Sequence, residues 1–296
     1  MAYASLKSSS SGLASCWMKG KNSAGPPVRF SLDGKELRGS IQTGHNRGEV
    51  LVSAVCHQDR QVVAQAYYCG TKESERPTLA ELIETHNLSS QKLSLDALHM
   101  IPSTLTLIGN AGGQYVVGLK ANQPHLYQSC TLIDIFKVSD YERIDEKIKH
   151  HGRVEQRTYR CFKLPDSVLD QRWQTTGLCT LICVLSSRQT AGIVGEELSY
   201  YVSNQQPSSQ LEADELFNAI RGHWGIESMH HKRDVTLSED ALRTGKAGVN
   251  RLIGSLRTLV INLLESMNSR NMAAQMDTFA DRFSVLIQFL TQQMVL

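Results

Sequence analysis

The order of strand-like and helical runs between residues 29 and 119 constrains the fold of this 296-residue chain more than any other feature. Arg29–Asp33 alternates as a strand does, and β-rich runs at 50–56 and 61–69 flank a short polar turn, which predicts an antiparallel hairpin. Four further runs alternate between helix and strand: 77–86, 92–96, 103–110 and 114–119. The order predicts an α/β fold in which helices flank a sheet of five strands.

Residues 125–205 interrupt that rhythm. After a helix over 127–136, the block is dominated by strand-like runs, which predicts a β-rich insertion standing outside the main sheet. Apolar residues at helical spacing over 245–267 and 277–293 predict two packing helices. Residues 1–28 are rich in Ser, Gly and Lys and are expected to be a disordered or remnant tail, which leaves 29–296 as one domain.

A helix between these two regions carries a carboxylate in an unusual place. Leu216, Ile220, Trp224, Glu227 and His231 follow one another at steps of four, four, three and four, which places them on one helical face. Trp224 is expected to pack in the core. A helical Glu is usually solvated. On an apolar face, Glu227 can instead hold a metal ion or a proton in a cleft, if other carboxylates reach it.

Two candidates for those carboxylates are Asp33 and Asp96, each at the end of a predicted strand. Functional groups collect at strand ends in open α/β sheets. Two adjacent Asp side chains repel each other, and a divalent cation such as Mg²⁺ or Mn²⁺ removes that repulsion. With Glu227 they would form a site for phosphoryl transfer by two metal ions. The alternative is that the three are unrelated surface acids.

Charge and hydropathy limit the partners. The formal net charge of +2 gives no global argument for nucleic acid. Locally, residues 143–163 hold seven Lys or Arg and three Asp or Glu, which favours contact with a DNA backbone, although a solvated hairpin is the alternative. No apolar run approaches the roughly 20 residues that span a bilayer. We therefore expect a cytoplasmic, nucleoid-associated protein without membrane contact.

Five strings occur in an order and spacing that point to a known family. They are LDGKELRGS around Asp33, LSLDALH around Asp96, GGQYVVGLKANQP, HGRVEQR, and RGHWGIES followed by DVTLSEDALR. Together they resemble the motifs of the H-repeat-associated (ISAs-type) transposases, a branch of the DDE transposases of bacterial insertion sequences. The resemblance runs from about Phe30 to the C-terminus.

The resemblance implies an RNase H-like mixed sheet flanked by helices, with a β-rich insertion before the helix that carries the catalytic Glu. It implies that Asp33, Asp96 and Glu227 bind Mg²⁺ or Mn²⁺ and catalyse strand cleavage and transfer on DNA. Element ends and target DNA are the expected partners, and a homodimer is expected in the transposition complex. The candidate DNA-binding residues are Lys35, Arg38, Lys120, Asn122, Gln123, His151, Arg153, Arg157, His223 and Lys232.

The chain also departs from the family pattern. Ser228 replaces the usual Asn, the segment 72–76 replaces the usual KSNEI, and Lys232 and Arg233 make an apolar stretch basic. The region before Asp33 is short and low in complexity. These departures predict a truncated copy that recognises element ends poorly. The remaining alternatives are an RNase H-like nuclease without transposition and an inactive DNA-binding remnant.

Overall fold

The computed structural model describes residues 27–42, 44–69, 75–150, 152–267 and 271–294, so residues 1–26 of the predicted tail over 1–28 lie outside the described part. The strands, in chain order, are β1 (Arg29–Glu36), β2 (Glu49–Cys56), β3 (Val62–Cys69), β4 (Lys92–Leu95), β5 (Gln114–Leu119), β6 (Tyr141–Ile144), β7 (Ile148–His150), β8 (Arg153–Lys163), β9 (Thr180–Thr190) and β10 (Ile193–Ser203). The α-helices are α1 (Glu75–Thr85), α2 (Pro102–Asn110), α3 (Pro124–Phe136), α4 (Gln210–His231), α5 (Ala247–Ser266), α6 (Met272–Asp281) and α7 (Phe283–Met294).

The ten described strands form one mixed sheet. Its order is β3-β2-β1-β4-β5-β10-β9-β8-β6, with β7 paired to β8. β4 lies parallel to both β1 and β5, and the other pairs are antiparallel. The predicted α/β class and the five strands between residues 29 and 119 are therefore confirmed.

Helices cover both faces of the sheet because successive strand residues point to opposite sides. Leu32, Leu95 and Val117 face one side, where they pack against apolar residues of α1, α2 and α3. Val116 faces the other side and packs against Ala213, Leu216, Phe217 and Ile220 of α4. The helix α4 begins after Ser209, whose side chain accepts a hydrogen bond from the backbone N–H of Glu212 and so caps the first turn.

A further apolar cluster joins the last helices to the edge of the sheet. Ile226 and Met229 of α4 pack with Val55, with Val62, and with buried residues of α5 and α6. This packing fixes the C-terminal half of α4 between the sheet and the last helices. Among the described residues, no helix combines the length and the apolar character that crossing a membrane would require.

The block 125–205 is β-rich, but the prediction that it stands outside the main sheet is wrong. β10 pairs with β5, with Tyr201 opposite Gly118, and β9 and β8 extend the same sheet. Without β10, β5 would be an exposed edge with unpaired backbone groups. The return strand therefore continues the sheet where the first five strands end.

The predicted single helix over 277–293 is also wrong. Two helices, α6 and α7, meet at Arg282, whose φ of −130° and ψ of 74° are not helical. Apolar residues on both sides of this break carry helical spacing, so periodicity alone did not reveal it. Phe279 of α6 and Phe289 of α7 stack with ring centroids 5.6 Å apart across the bend.

A buried arginine fixes the chain after α4. A π-helical turn over Lys232–Thr236 continues α4, and Arg233 within it is 0% accessible. Its Nε and Nη2 donate to the two carboxylate oxygens of Glu239 at 2.8 and 2.7 Å, and its Nη1 donates to Thr258 at 2.7 Å. The basic residue at position 233 is therefore buried, and this cation holds α4 against α5.

We expect Arg233→Ala to lower the free energy of unfolding by roughly 3–5 kcal/mol, because it leaves the buried Glu239 carboxylate without its main partner. The exposed Arg243 provides a control, and Arg243→Ala should change the free energy by about 0.5 kcal/mol or less. Chemical denaturation of the two variants measures both quantities. Equal stabilities would contradict the structural role assigned to Arg233.

Candidate active site

Parallel pairing of β1 with β4 places Asp33 and Asp96 side by side. Leu32 lies opposite Leu95, and each Asp is the next residue of its strand or of the turn that follows. Both side chains face the side of the sheet that α4 covers. Asp96 directly follows β4, but the prediction that Asp33 ends its strand is wrong, because β1 continues to Glu36. The two acids are nevertheless neighbours, because the parallel pairing of β1 with β4 ends one residue before each of them.

The environment of Asp33 changes the pKa of its carboxyl group. Burial, together with the neighbouring Asp96 carboxylate, raises the pKa of Asp33 to about 7. A quarter of the Asp33 side chain stays accessible, so an ion can still reach it. An accessible carboxyl that resists ionisation beside a second carboxyl is suited to a divalent cation.

The position of Asp96 is fixed by the turn that follows β4. Asp96 caps the 3-10 turn Ala97–His99 and accepts a hydrogen bond from the backbone N–H of Leu98 at 2.9 Å. The ring Nε2 of His99 lies 3.8 Å from Asp96 Oδ1 and 3.1 Å from Glu75 Oε1. The buried Glu75 also accepts from the hydroxyl of Tyr68 at 3.1 Å, which ties the turn to α1 and β3.

Asn122 and Gln123, two predicted DNA-binding residues, brace the same turn. Asn122 Nδ2 donates to the carbonyl of Ala97, and Gln123 Nε2 donates to the carbonyl of Met100, both at 2.8 Å. Both amide groups therefore support the backbone around Asp96. DNA contact by these two residues stays a prediction.

Two histidines of α4 contact the same face of the sheet. His223 Nδ1 lies 3.0 Å from Ser94 Oγ, and His230 Nδ1 lies 3.6 Å from Asp33 Oδ2. Burial lowers the pKa of His223 to about 4 and that of His230 to about 3. Both rings are therefore neutral near pH 7, and His230 does not supply a positive charge to Asp33.

Glu227 lies between these two histidines on α4. Successive residues of a helix are rotated by about 100° around its axis. Glu227 and the buried Ile226 therefore lie on opposite sides of His223 around α4. The side that carries Glu227 faces Tyr201, whose pKa is raised by burial and further by the nearby Glu227 carboxylate. Burial also raises the pKa of Glu227, although its side chain is exposed. In the described part of the chain, no three His, Cys, Asp or Glu side chains are already gathered as a metal site.

Trp224 does not pack in the core, and that prediction is wrong. Its side chain is 47% accessible. The face of α4 toward the sheet instead continues through His223, Ile226 and His230. Past Ile220, this face combines the apolar Ile226, which packs against Val55, with two histidines that face the polar side chains of Ser94 and Asp33.

Most other predicted DNA-binding side chains have protein partners. Lys35 is buried, and its Nζ lies 2.7 Å from Asp234, 3.4 Å from Glu239 and 3.3 Å from Asp240. Lys232 forms an ion pair with Glu265. These two cations are therefore engaged within the fold.

The remaining predicted DNA contacts differ in accessibility, with 46% of the Arg153 side chain but only 11% of the Arg157 side chain accessible. Arg38 and Lys120 are exposed, and Arg153 and Arg157 contact Glu155 at 2.8 and 3.3 Å. His151 lies outside the described residues. DNA binding by any of these residues stays a prediction.

The sequence interpretation missed several side chains around the two aspartates. Ser31, His57 and Ser94 form a hydrogen-bonded group on the α4 side of the sheet, and Glu75 with His99 supports Asp96 from the other side. One signal was present, because the string Ser-Leu-Asp occurs at both 31–33 and 94–96. The contacts of His57 and Glu75 depend on long-range pairing and had no local signal.

The raised pKa of Asp33 predicts a pH dependence of stability in metal-free protein. Between the unfolded value of about 3.9 and the folded value of about 7, the folded chain holds a proton that the unfolded chain loses. The free energy of unfolding therefore falls as pH rises through this window. Asp33→Asn removes the group that causes this fall in the free energy of unfolding. It should therefore raise the unfolding temperature at about pH 8 and leave it unchanged below about pH 3.9.

Thermal unfolding in a chelating buffer across this pH range measures the effect. Asp281→Asn, at an exposed position, is the control and should leave the pH dependence unchanged. If Asp33→Asn behaved as this control does, Asp33 would ionise normally and the interpretation of the pair would fail.

Comparison with known proteins identifies relatives of this chain. It is 27% identical over 243 residues to "Putative transposase YncI" of Escherichia coli O157:H7, which covers 79% of this chain and 61% of that protein. It is 25% identical over 256 residues to "H repeat-associated putative transposase YhhI" of Escherichia coli K12, which covers 84% of this chain and 67% of that protein. "Putative protein YbfL" of the same strain matches with the same identity and coverage.

The other comparisons add no assignment. No family model matches the chain. A sugar N-methyltransferase, KedS8 from Streptoalloteichus, aligns with 45% of the chain at 12% identity and a TM-score of 0.20, which is too low to support a fold argument. The chain spans 61–67% of the length of the three relatives named above. The resemblance predicted from the motifs is confirmed: the chain is homologous to proteins named as H repeat-associated transposases.

Proposed function

We propose that this chain performs metal-dependent DNA cleavage and strand transfer as a transposase, with Asp33, Asp96 and Glu227 as the metal ligands. The observation that carries the proposal is the side-by-side placement of Asp33 and Asp96, with the pKa of Asp33 raised to about 7. The two acids lie in the strings LDGKELRGS and LSLDALH, and relatives named as transposases match most of the chain. DNA is the corresponding partner.

The proposed fold is RNase H-like over residues 29–296. Its support is the mixed core of five strands, in which the antiparallel strands β1–β3 are followed by the parallel strands β4 and β5 with helices between them. Asp33 lies on β1 of this core, Asp96 directly follows the neighbouring β4, and Glu227 lies on the helix that crosses the core. The block 125–205 is proposed as the family's insertion, joined to the sheet edge.

The side chains of Asp33 and Asp96 are suitable ligands for Mg²⁺ or Mn²⁺. Both donors are carboxylates, the ligand type that such hard cations prefer. The lysine nearest in sequence to Asp33, Lys35, is engaged with Asp234, so it does not neutralise the pair. A bound ion would supply activation of the attacking oxygen and stabilisation of the leaving oxygen.

Glu227 would complete the ligand set. Its side chain is exposed, so neighbouring side chains do not fix its rotamer. His223 precedes it by one turn and His230 follows it by nearly one turn, and both contact the sheet beside the two aspartates. A change of rotamer toward Asp96 when metal and DNA bind would bring the third carboxylate to the pair. The role of α4 is to hold Glu227 over this side of the sheet.

Alanine substitution of each proposed ligand tests the assignment. We expect Asp33→Ala, Asp96→Ala and Glu227→Ala each to abolish Mg²⁺- or Mn²⁺-dependent nicking of DNA while circular dichroism shows a folded chain. Glu215→Ala is the matched control because Glu215 lies on the same helix, and its exposed carboxylate pairs with Lys92 away from the two aspartates. Joining of element ends to target DNA then separates transposition from simple nuclease activity. Normal nicking by Asp96→Ala would remove that residue from the site.

The DNA-backbone surface is proposed on the basic strand β8. Arg153, Arg157 and Arg188 converge on Glu155, with N···O distances of 2.8, 3.3 and 3.3 Å. Three cations share this one anion, which suits phosphate contact without base readout, and Glu196 and Glu197 line the same groove.

Arg153→Ala combined with Arg157→Ala should weaken binding about equally for all sequences. It should reduce the slope of log affinity against log salt by about 2, because each lost phosphate contact removes about 0.9. Glu155→Gln removes the shared anion and should strengthen binding, which a purely structural role of the arginines does not predict. Fluorescence anisotropy at several salt concentrations measures both effects. Loss of affinity for one sequence only would indicate base readout instead.

A further inference from the structure

Two serines lie beneath the aspartate pair. Ser31 and Ser94 each precede an Asp by two residues, so they share its strand face and form the neighbouring row of the sheet. Both are buried, and their Oγ atoms lie 3.1 Å apart. The row that supports Asp33 and Asp96 is therefore hydroxylated, whereas apolar residues form the opposite face.

Two histidines close a hydrogen-bonded group around these hydroxyls. His57 follows β2, and its Nε2 lies 2.7 Å from Ser31 Oγ and 3.1 Å from Ser94 Oγ. His223 of α4 approaches from above, with Nδ1 3.0 Å from Ser94 Oγ. Burial lowers the pKa of His57 to about 3, so this ring, like that of His223, is neutral. The group joins β1, β2 and β4 to the helix that carries Glu227.

The backbone of α4 rests directly on the His57 ring. A Cβ added at Gly222 would lie 2.3 Å from His57 Nδ1 and 2.7 Å from its Cε1. A Cβ added at Gly225, three residues later on the same helix, would meet no atom within 4 Å. Only the first glycine is therefore required for close approach, and His57 determines how near the helix lies to the sheet.

We infer that His57 and Gly222 form a seat that sets the height of α4 above Asp33 and Asp96, so that both are positioning residues for Glu227. The inference rests on the proposed function. His223, one residue after Gly222, anchors the helix through Ser94, and Glu227 lies one turn further on. A rigid helix transmits a displacement at the seat to Glu227. Displacements of about 1 Å at reacting groups can cost roughly 10²-fold in rate.

Four variants of the full chain test the seat: Gly222→Ala, His57→Ala, the combination of both, and Gly225→Ala. Mn²⁺ affinity is measured by electron paramagnetic resonance, and nicking is measured in parallel. Gly222→Ala should weaken Mn²⁺ binding and reduce nicking by up to roughly 10²-fold. Removing the His57 ring makes room for the methyl group that Gly222→Ala adds. In the His57→Ala background, Gly222→Ala should therefore cause little further loss of Mn²⁺ affinity or nicking. Gly225→Ala should match the unsubstituted chain.

Ser94→Ala covers the case in which Gly222→Ala fails to fold, because it adds no atoms and removes the hydroxyl that joins His57 to His223. It should also weaken Mn²⁺ binding. If the unsubstituted chain nicks DNA while all folded variants share its Mn²⁺ affinity, the positioning role is overturned and the proposed function stands. If the unsubstituted chain neither nicks DNA nor binds Mn²⁺, the proposed function is overturned and the positioning role with it.

Discussion

Two carboxylates that lie side by side repel each other, and the organisation of the candidate site follows from that repulsion. Parallel pairing of β1 and β4 fixes Asp33 next to Asp96, and burial adds to the cost of ionising Asp33. The backbone N–H of Gly34 and the ring of His99 offset only part of this cost. Lys35 is engaged by Asp234, and the ring of His230 is neutral. The pair is left to hold a proton or a divalent ion.

The surroundings keep the two acids in place without neutralising them. Asp96 is held by a backbone N–H and by the turn that Asn122 and Gln123 brace. On the opposite side of the sheet, Glu75 fills the space over Gly34, where an added Cβ would lie 2.7 Å from its carboxyl carbon. Rigid supporting contacts of this kind are what a preorganised metal site requires, because a loosely held carboxylate loses affinity and rate.

The local elements were predictable because they depend on local pattern. Strands β1 to β5 and the position of Asp96 directly after β4 follow from alternation, β-branched runs and turn residues, whereas the continuation of β1 past Asp33 to Glu36 was missed. The face of α4 was not predictable beyond Ile220. There the helix meets Ser94 and Asp33 instead of an apolar surface, so polar histidines face inward and the hydrophobic Trp224 faces outward. Hydrophobic periodicity reports only faces that pack against apolar partners.

The other differences came from contacts between distant segments. The pairing of β10 with β5 and the carboxylates around Lys35 join residues far apart in the chain, which local pattern does not encode. The central claim is that Asp33, Asp96 and Glu227 bind a common divalent ion, and anomalous diffraction from crystals soaked in Mn²⁺ tests it most directly. The account predicts an anomalous peak between Asp33 and Asp96, with the Glu227 carboxylate turned toward it. A peak elsewhere, or a peak that Glu227 does not approach when DNA is also bound, would contradict it.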